Sequence, residues 1–278
     1  MTELNMKMEF AAKSDMGKVR TNNEDSFFVE PEIGLFIVAD GMGGHASGEV
    51  ASKMACEIIS KNLKTSLANN DDTDKTQVIF GENNPGISKP ANSLLSAIRL
   101  ANRVIYEAST TMSQNQGMGT TLVAVLARDN SYIISWVGDS RIYLARHGQL
   151  QQLTSDHSLV QEQVNKGLIT NEQAETSEFK NVLTRALGTA EEVQADIAET
   201  PAFEDDYLIL CSDGLTRMVS DQIILDTIKK YDNPDAICNE LIDLAIKAGG
   251  RDNVTAVVLS NKADNFWKKF MKSVAKIG

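Results

Sequence analysis

Five times in this chain an acidic residue stands at the end of a short, strand-like apolar run, next to glycine or asparagine. The places are Glu24-Asp25, Asp40-Gly41, Gly138-Asp139, Asp213-Gly214 and Asp252-Asn253. One Asp-Gly pair by itself signals only a turn. Several at strand ends restrict the fold much more, because carboxylates that meet repel strongly unless a cation lies between them.

The apolar runs indicate which ends meet. Residues 25–29 and 35–39 are rich in aromatic and β-branched side chains and flank Pro31-Glu32-Ile33-Gly34, a turn composition, so they read as a hairpin. A turn centred on residue 32 would place Glu24 opposite Asp40, with their Cβ atoms ~4.5–5.5 Å apart on one face. Residues 120–127 and 132–137 flank Asp129-Asn130, a tight-turn pair that would set Asp139 opposite Thr120. Further strands are expected at 141–145, 150–153, 207–211 and 254–260. If the last two pair antiparallel, Asp213 and Asp252 also meet at one sheet edge.

Helices are expected where apolar residues recur at helical spacing. One starts near Ser47 and carries Val50, Met54, Ala55 and Ile58. A second carries Leu94, Ile98, Ala101, Ile105, Ala108 and Met112. A third runs near 221–230. A fourth has Asn233 as N-cap, Pro234 at its first position and Gly249-Gly250 beyond its end. Residues 66–92 read as a polar insertion and 156–188 as irregular or weakly helical. Helices in pairs interrupting hairpin-joined strands give an α+β class with an antiparallel core.

Composition narrows the function classes. The chain has 278 residues, 42% of them hydrophobic, and a formal net charge of −11. That charge argues against nucleic acid as a main partner. Cys56, Cys211 and Cys238 match neither a disulfide framework nor a metal-binding spacing, and read as free thiols of a cytoplasmic protein. The first ten residues carry Glu3 and Glu9 with no long apolar run, so no signal peptide is expected. The acidic set lacks His and Cys ligands and therefore favours hard cations, Mg²⁺ or Mn²⁺, over zinc.

Seven strings extend the argument: residues 17–25 (GKVRTNNED), 38–45 (VADGMGGH), 119–121 (GTT), 137–141 (VGDSR), 183–188 (LTRALG), 211–215 (CSDGL) and 251–253 (RDN). Together and in this order they resemble the bacterial branch of the type 2C, or PPM, serine/threonine protein phosphatases, over roughly residues 9–260. The resemblance implies a four-layer αββα sandwich, two antiparallel β-sheets flanked by helices. It implies hydrolysis of phosphoserine and phosphothreonine by a water activated between two divalent ions, Mn²⁺ or Mg²⁺, bound tightly, with a weaker third. Asp40 would bridge the pair, and the Gly41 carbonyl, Glu24, Asp213 and Asp252 would complete it, partly through waters. Arg20 would bind the substrate phosphate, and Asp139 would help to hold the third ion.

The same resemblance assigns residues 1–261 to a phosphatase domain with a flap at about 158–185, and implies phosphoprotein partners and a cognate Ser/Thr kinase. The sequence departs from the family at two places. Met42 stands where animal members carry a proposed histidine acid, and His45 is not given that role. Arg217 stands where some relatives carry an acidic residue assisting the third ion, which leaves that site weak. Beyond the domain, residues 262–278 form an amphipathic basic tail, read as packing on its own acidic domain in preference to a membrane. A phosphoprotein-binding scaffold and a small-metabolite phosphatase are the competing readings.

Overall fold

The computed structural model of the chain describes residues 7–44, 47–68, 80–128 and 130–262. Period-two alternation builds its layers. In β3 (Leu35–Met42), Leu35, Ile37 and Ala39 face one apolar cluster while Phe36 and Val38 face another. The second cluster fills the space between two sheets. It joins Phe36, Val38, Val123, Val125 and Ile134 to Ile142, Leu208, Leu210, Val257 and Leu259.

The six-stranded sheet runs β2 (Asp25–Glu30), β3, β5 (Leu122–Arg128), β6 (Ser131–Val137), β9 (Asp196–Pro201), with the short β4 (Gly119–Thr120) also paired to β3. The five-stranded sheet runs β1 (Lys7–Asp15), β11 (Val254–Lys262), β10 (Asp206–Cys211), β7 (Arg141–Arg146), β8 (Gln149–Gln152). All the pairings are antiparallel. Helices α1 (Ser47–Ala68) and α2 (Lys89–Thr111) cover the outer face of the first sheet. Two short helices, α3 (Leu159–Asn165) and α4 (Asn171–Thr176), lie between β8 and β9. After β10 come the four-residue α5 (Asp213–Thr216), then α6 (Asp221–Lys230) and α7 (Pro234–Lys247), whose apolar faces cover the second sheet. This is the expected αββα sandwich.

Several details differ from expectation. The first hairpin is shifted by one residue, so that Asp25, not Glu24, pairs with Asp40. Four residues separate Glu30 from its partner Leu35, and Gly34 takes φ +74° in closing that turn. The second hairpin keeps the expected register, with Leu122 opposite Val137. On α1 the buried stripe is Ala51, Ala55, Ile59 and Leu63, while Val50 is exposed. The close approach of this helix to β2 and β3 selects small side chains such as Ala51 and Ser52.

The polar stretch at 66–92 loses both ends to helix, since α1 reaches Ala68 and α2 begins at Lys89. The Ser88 hydroxyl caps α2 by accepting from the Ala91 N–H. On α2, Leu94, Ile98, Ala101 and Ile105 are fully buried, but Met112, at the C-cap, is exposed. Strands β1 and β9 were not expected. His45 and the tail after Lys262 lie outside the described residues.

Leu210 is fully buried between the sheets. Leu210→Ala should cost ~2–5 kcal/mol, the range for deleting a buried leucine side chain. Chemical denaturation measures it, and a loss under ~1 kcal/mol would mean that the two sheets do not pack as described.

Candidate active site

Strand parity brings the acidic residues together. Asp40 lies on the same face of β3 as Phe36 and Val38, so its carboxylate points into the space between the sheets, and Asp25 stands opposite it on β2. The other sheet contributes Asp213, two residues beyond the last paired residue of β10, and Asp252, two before β11. Cys211 pairs with Ala256, so antiparallel pairing sets both at the same sheet end, as expected. Asp139 follows β6 in the turn to β7. Thus the ends of five strands, β2, β3, β6, β10 and β11, carry acidic residues to one place.

Hydrogen bonds hold the backbone there. The Gly41 N–H donates to the Glu24 carbonyl at 3.1 Å, and the Ser52 hydroxyl donates to that same carbonyl at 2.6 Å. The Glu24 N–H donates to Asn253 Oδ1 at 2.8 Å, while Asn253 Nδ2 donates to the carbonyls of Met16 and Asn22. One asparagine therefore ties the β2 entry to the β11 entry. The Thr121 N–H and the Thr120 hydroxyl both donate to the Asp40 carbonyl, at 2.8 and 2.9 Å. At Gly48 a Cβ would fall on the Glu24 carboxylate, so glycine is required for α1 to pass this close.

The cluster is costly to charge. Burial, and then repulsion from Asp25, Asp213, Asp139 and Asp252, raises the Asp40 carboxyl well above the carboxylate range. Burial and the Asp139 charge push Asp213 to about 7. Asp25 rises to about 6, chiefly through burial, with a 2.7 Å hydrogen bond from the Ser212 hydroxyl opposing the rise. Burial also raises Asp139 and Glu24. Two such charges ~5 Å apart repel by about 3 kcal/mol at an effective dielectric near 20.

Two guanidinium groups offset part of this. Arg20 Nη2 donates to Asp252 Oδ2 at 2.8 Å, and its side chain is 54% exposed at the mouth. Arg217 pairs with Asp213 and lies 3.6 Å from Asp139.

The donor set suits hard divalent cations. It is all oxygen, and Asp25 Oδ1 and Asp213 Oδ1 are buried with no hydrogen-bond partner among the described residues. Among the described residues no three His, Cys, Asp or Glu side chains close around a single point as a finished cage. Arg20 and Arg217 each hold one oxygen of Asp252 and Asp213, and a backbone carbonyl and waters would complete the coordination. We therefore regard the residues as fitting a pair of ions.

Other side chains fix the base of the 158–185 segment. Arg141 makes a two-pronged contact with Asp156 at 2.8–3.2 Å. The next residue, His157, is buried and stacked on Trp136; its Nδ1 accepts from the Gly138 N–H at 3.2 Å. Burial and Arg185 lower its pKa, which suits this acceptor role. The base of the 158–185 segment is thus clamped to the turn that carries Asp139, while Leu168, Phe179 and Val182 are exposed.

Sequence reasoning placed Arg20, Glu24, Asp40, Gly41, Asp139, Asp213 and Asp252 in the candidate site, and the structure gathers their segments there. It missed Asp25, which a four-residue count of the first turn would have paired with Asp40. Asn253 stood in a quoted string without a role, and His157 was given none.

The family model for protein phosphatase 2C matches residues 18–237. Serine/threonine protein phosphatase PstP of Mycobacterium tuberculosis is 38% identical over 262 residues, spanning 93% of this chain but only 46% of that protein. A putative protein phosphatase 2C-type of Streptococcus pyogenes is 35% identical over 261 residues, 93% of this chain and 99% of that one. A solved structure of the PstP catalytic domain in complex with two manganese ions superposes with a TM-score of 0.71 at 38% identity, covering 91% of this chain and 97% of that one. The chain therefore belongs to the protein phosphatase 2C family. Within that family it stands with the bacterial serine/threonine protein phosphatases.

The raised carboxyl groups give a pH test. Unfolded, Asp213 titrates near the ordinary carboxylate value; folded, it titrates at about 7. The folded state then binds more protons between those values, so stability falls as pH rises through that window. In chelator, the unfolding free energy should drop by on the order of a few kcal/mol between about pH 5 and pH 8. Added Mn²⁺ should flatten the slope. Denaturation curves across this range check both, and stability rising with pH in chelator would contradict the buried cluster.

Proposed function

We propose that this chain removes phosphate from phosphoserine and phosphothreonine in proteins, in the manner of the family to which it belongs. The observation that carries the reading is the convergence of Asp25, Asp40, Asp139, Asp213 and Asp252 from both sheets beneath an exposed arginine. Two divalent ions, Mn²⁺ or Mg²⁺, bound there would supply an activated water and positive charge for in-line attack on the phosphorus. Asp40, Glu24, Asp213, Asp252 and the Gly41 carbonyl are the residues proposed to hold them. Asp25, paired with Asp40 across the hairpin and held by the Ser212 hydroxyl, would add a further carboxylate beside those ligands.

Arg20 is proposed to take the substrate phosphate. A guanidinium presents five donors in a planar fork. One is engaged with Asp252, which aims the group and leaves donors for phosphate oxygens. The exposed Leu168, Phe179 and Val182 of the 158–185 segment, whose base is clamped to the Asp139 turn, offer apolar surface to a protein substrate more than to a small metabolite. A Ser/Thr kinase whose products this enzyme reverses is the partner we infer, and residues 1–261 are the unit we assign to catalysis. Cys56, Cys211 and Cys238 are buried free thiols, which suits a reducing cytoplasm. Among the described residues no helix is long and apolar enough to cross a membrane.

Phosphothreonine peptides and a generic aryl phosphate should both be hydrolysed, with activity abolished by chelator and restored by Mn²⁺ or Mg²⁺. Arg20→Ala should raise KM by roughly tenfold or more and lower kcat less, as expected for loss of ground-state phosphate binding. Steady-state kinetics on both substrates decide it. Turnover surviving in excess chelator would sink the proposed mechanism, and unchanged kinetics would remove Arg20 from it.

A further inference from the structure

Arg217 is one of the two positions at which this sequence departs from the family it resembles. It follows α5 directly, four residues after Asp213, and its backbone N–H donates to the Asp213 carbonyl at 2.9 Å. That helical turn sets the two side chains on one face. The guanidinium pairs with Asp213 through Oδ2 and reaches Asp139 Oδ2 at 3.6 Å. The other Asp213 oxygen, Oδ1, is buried and without a hydrogen-bond partner among the described residues. Arg217 thus divides the carboxylate, holding one oxygen and leaving the other for the acidic cluster.

We propose that the Arg217 guanidinium is a built-in cation between Asp139 and Asp213, standing where a third divalent ion would otherwise bind, so that this chain takes two ions and not three. The inference rests on the metal-dependent reading above. Asp139 and Asp213 are both nearly buried and repel one another, so a positive charge between them is favourable whatever its source. Arginine supplies it permanently, since the group keeps its proton throughout the working pH range. A divalent ion entering the same space would meet a fixed positive charge and find Asp213 Oδ2 already engaged. Arg217 is therefore a positioning residue: it aims Asp213 Oδ1 and closes the Asp139 side. Its Nη2 meets two carboxylates, where that of Arg20 meets one.

The test is an ion count on the full chain. Mn²⁺ binding is measured by calorimetric titration and equilibrium dialysis for the wild type, Arg217→Asp and Arg217→Lys. Two ions per chain are expected for the wild type and for Arg217→Lys, which keeps the charge. Arg217→Asp, which turns the cation into a ligand, should bind three. If Arg217→Asp is poorly folded by its melting curve, Arg217→Gln replaces it, with a third ion expected to bind at a Mn²⁺ concentration at least tenfold below any at which the wild type takes one. Three ions in the wild type, or no gain in the uncharged or acidic variant, would overturn the inference and leave the phosphatase reading standing. Fewer than two ions in the wild type would overturn both.

Discussion

The carboxylates of Asp25, Asp40, Asp139 and Asp213 lie where water screens them poorly, and each makes its neighbours harder to ionise. Such a cluster could not persist on packing alone, because like charges in a low-dielectric space destabilise the state that brings them together. The surrounding architecture serves to hold it. Two sheets stacked over an apolar core of Phe36, Val38, Leu208 and Val257 fix the strand ends. Asn253, Ser52, Thr120 and Thr121 satisfy the backbone at those ends, so the carboxylates cannot relax apart. The stored repulsion is what gives the site affinity for cations.

Positive charge answers it at two places. Arg217, its side chain 35% exposed, lies against Asp213 and Asp139, whereas Arg20, 54% exposed, is tied to Asp252 through one nitrogen. Arg217 is engaged with two carboxylates and Arg20 with one, so the same chemical group answers both sides of the cluster. The 158–185 segment joins this arrangement through Arg141, Asp156 and His157, which lock its base to the Gly138-Asp139 turn. Leu168, Phe179 and Val182, farther along it, are exposed.

Much of this was legible in the sequence. Strands rich in β-branched residues, the two-residue β5–β6 turn and the Asn233-Pro234 start of α7 each carry a strong local signal, and each stands in the structure. Because Asp40, Asp139, Asp213 and Asp252 stand at or near the ends of such strands, their convergence was legible too. The failures have local causes. Strand β1 mixes Lys7, Glu9 and Lys13 with apolar residues, and its partner β11 is more than two hundred residues away. Strand β9 is polar, ends in Pro201 and lies at a sheet edge, where pairing demands little of the sequence. The first hairpin slipped by one residue because its turn was centred on residue 32, whereas the four residues 31–34 are centred between 32 and 33, and that slip set Glu24 in the place of Asp25.

The central claim is that uncompensated negative charge around Asp40 is what binds cations. It is tested most directly by melting Asp40→Asn beside the wild type, in chelator and in Mn²⁺. The substitution removes one charge at nearly constant shape. The account predicts that in chelator the variant melts above the wild type, and that Mn²⁺ raises the melting temperature of the wild type but not of the variant. A variant that melts below the wild type in chelator, yet keeps the full Mn²⁺ shift, would contradict it.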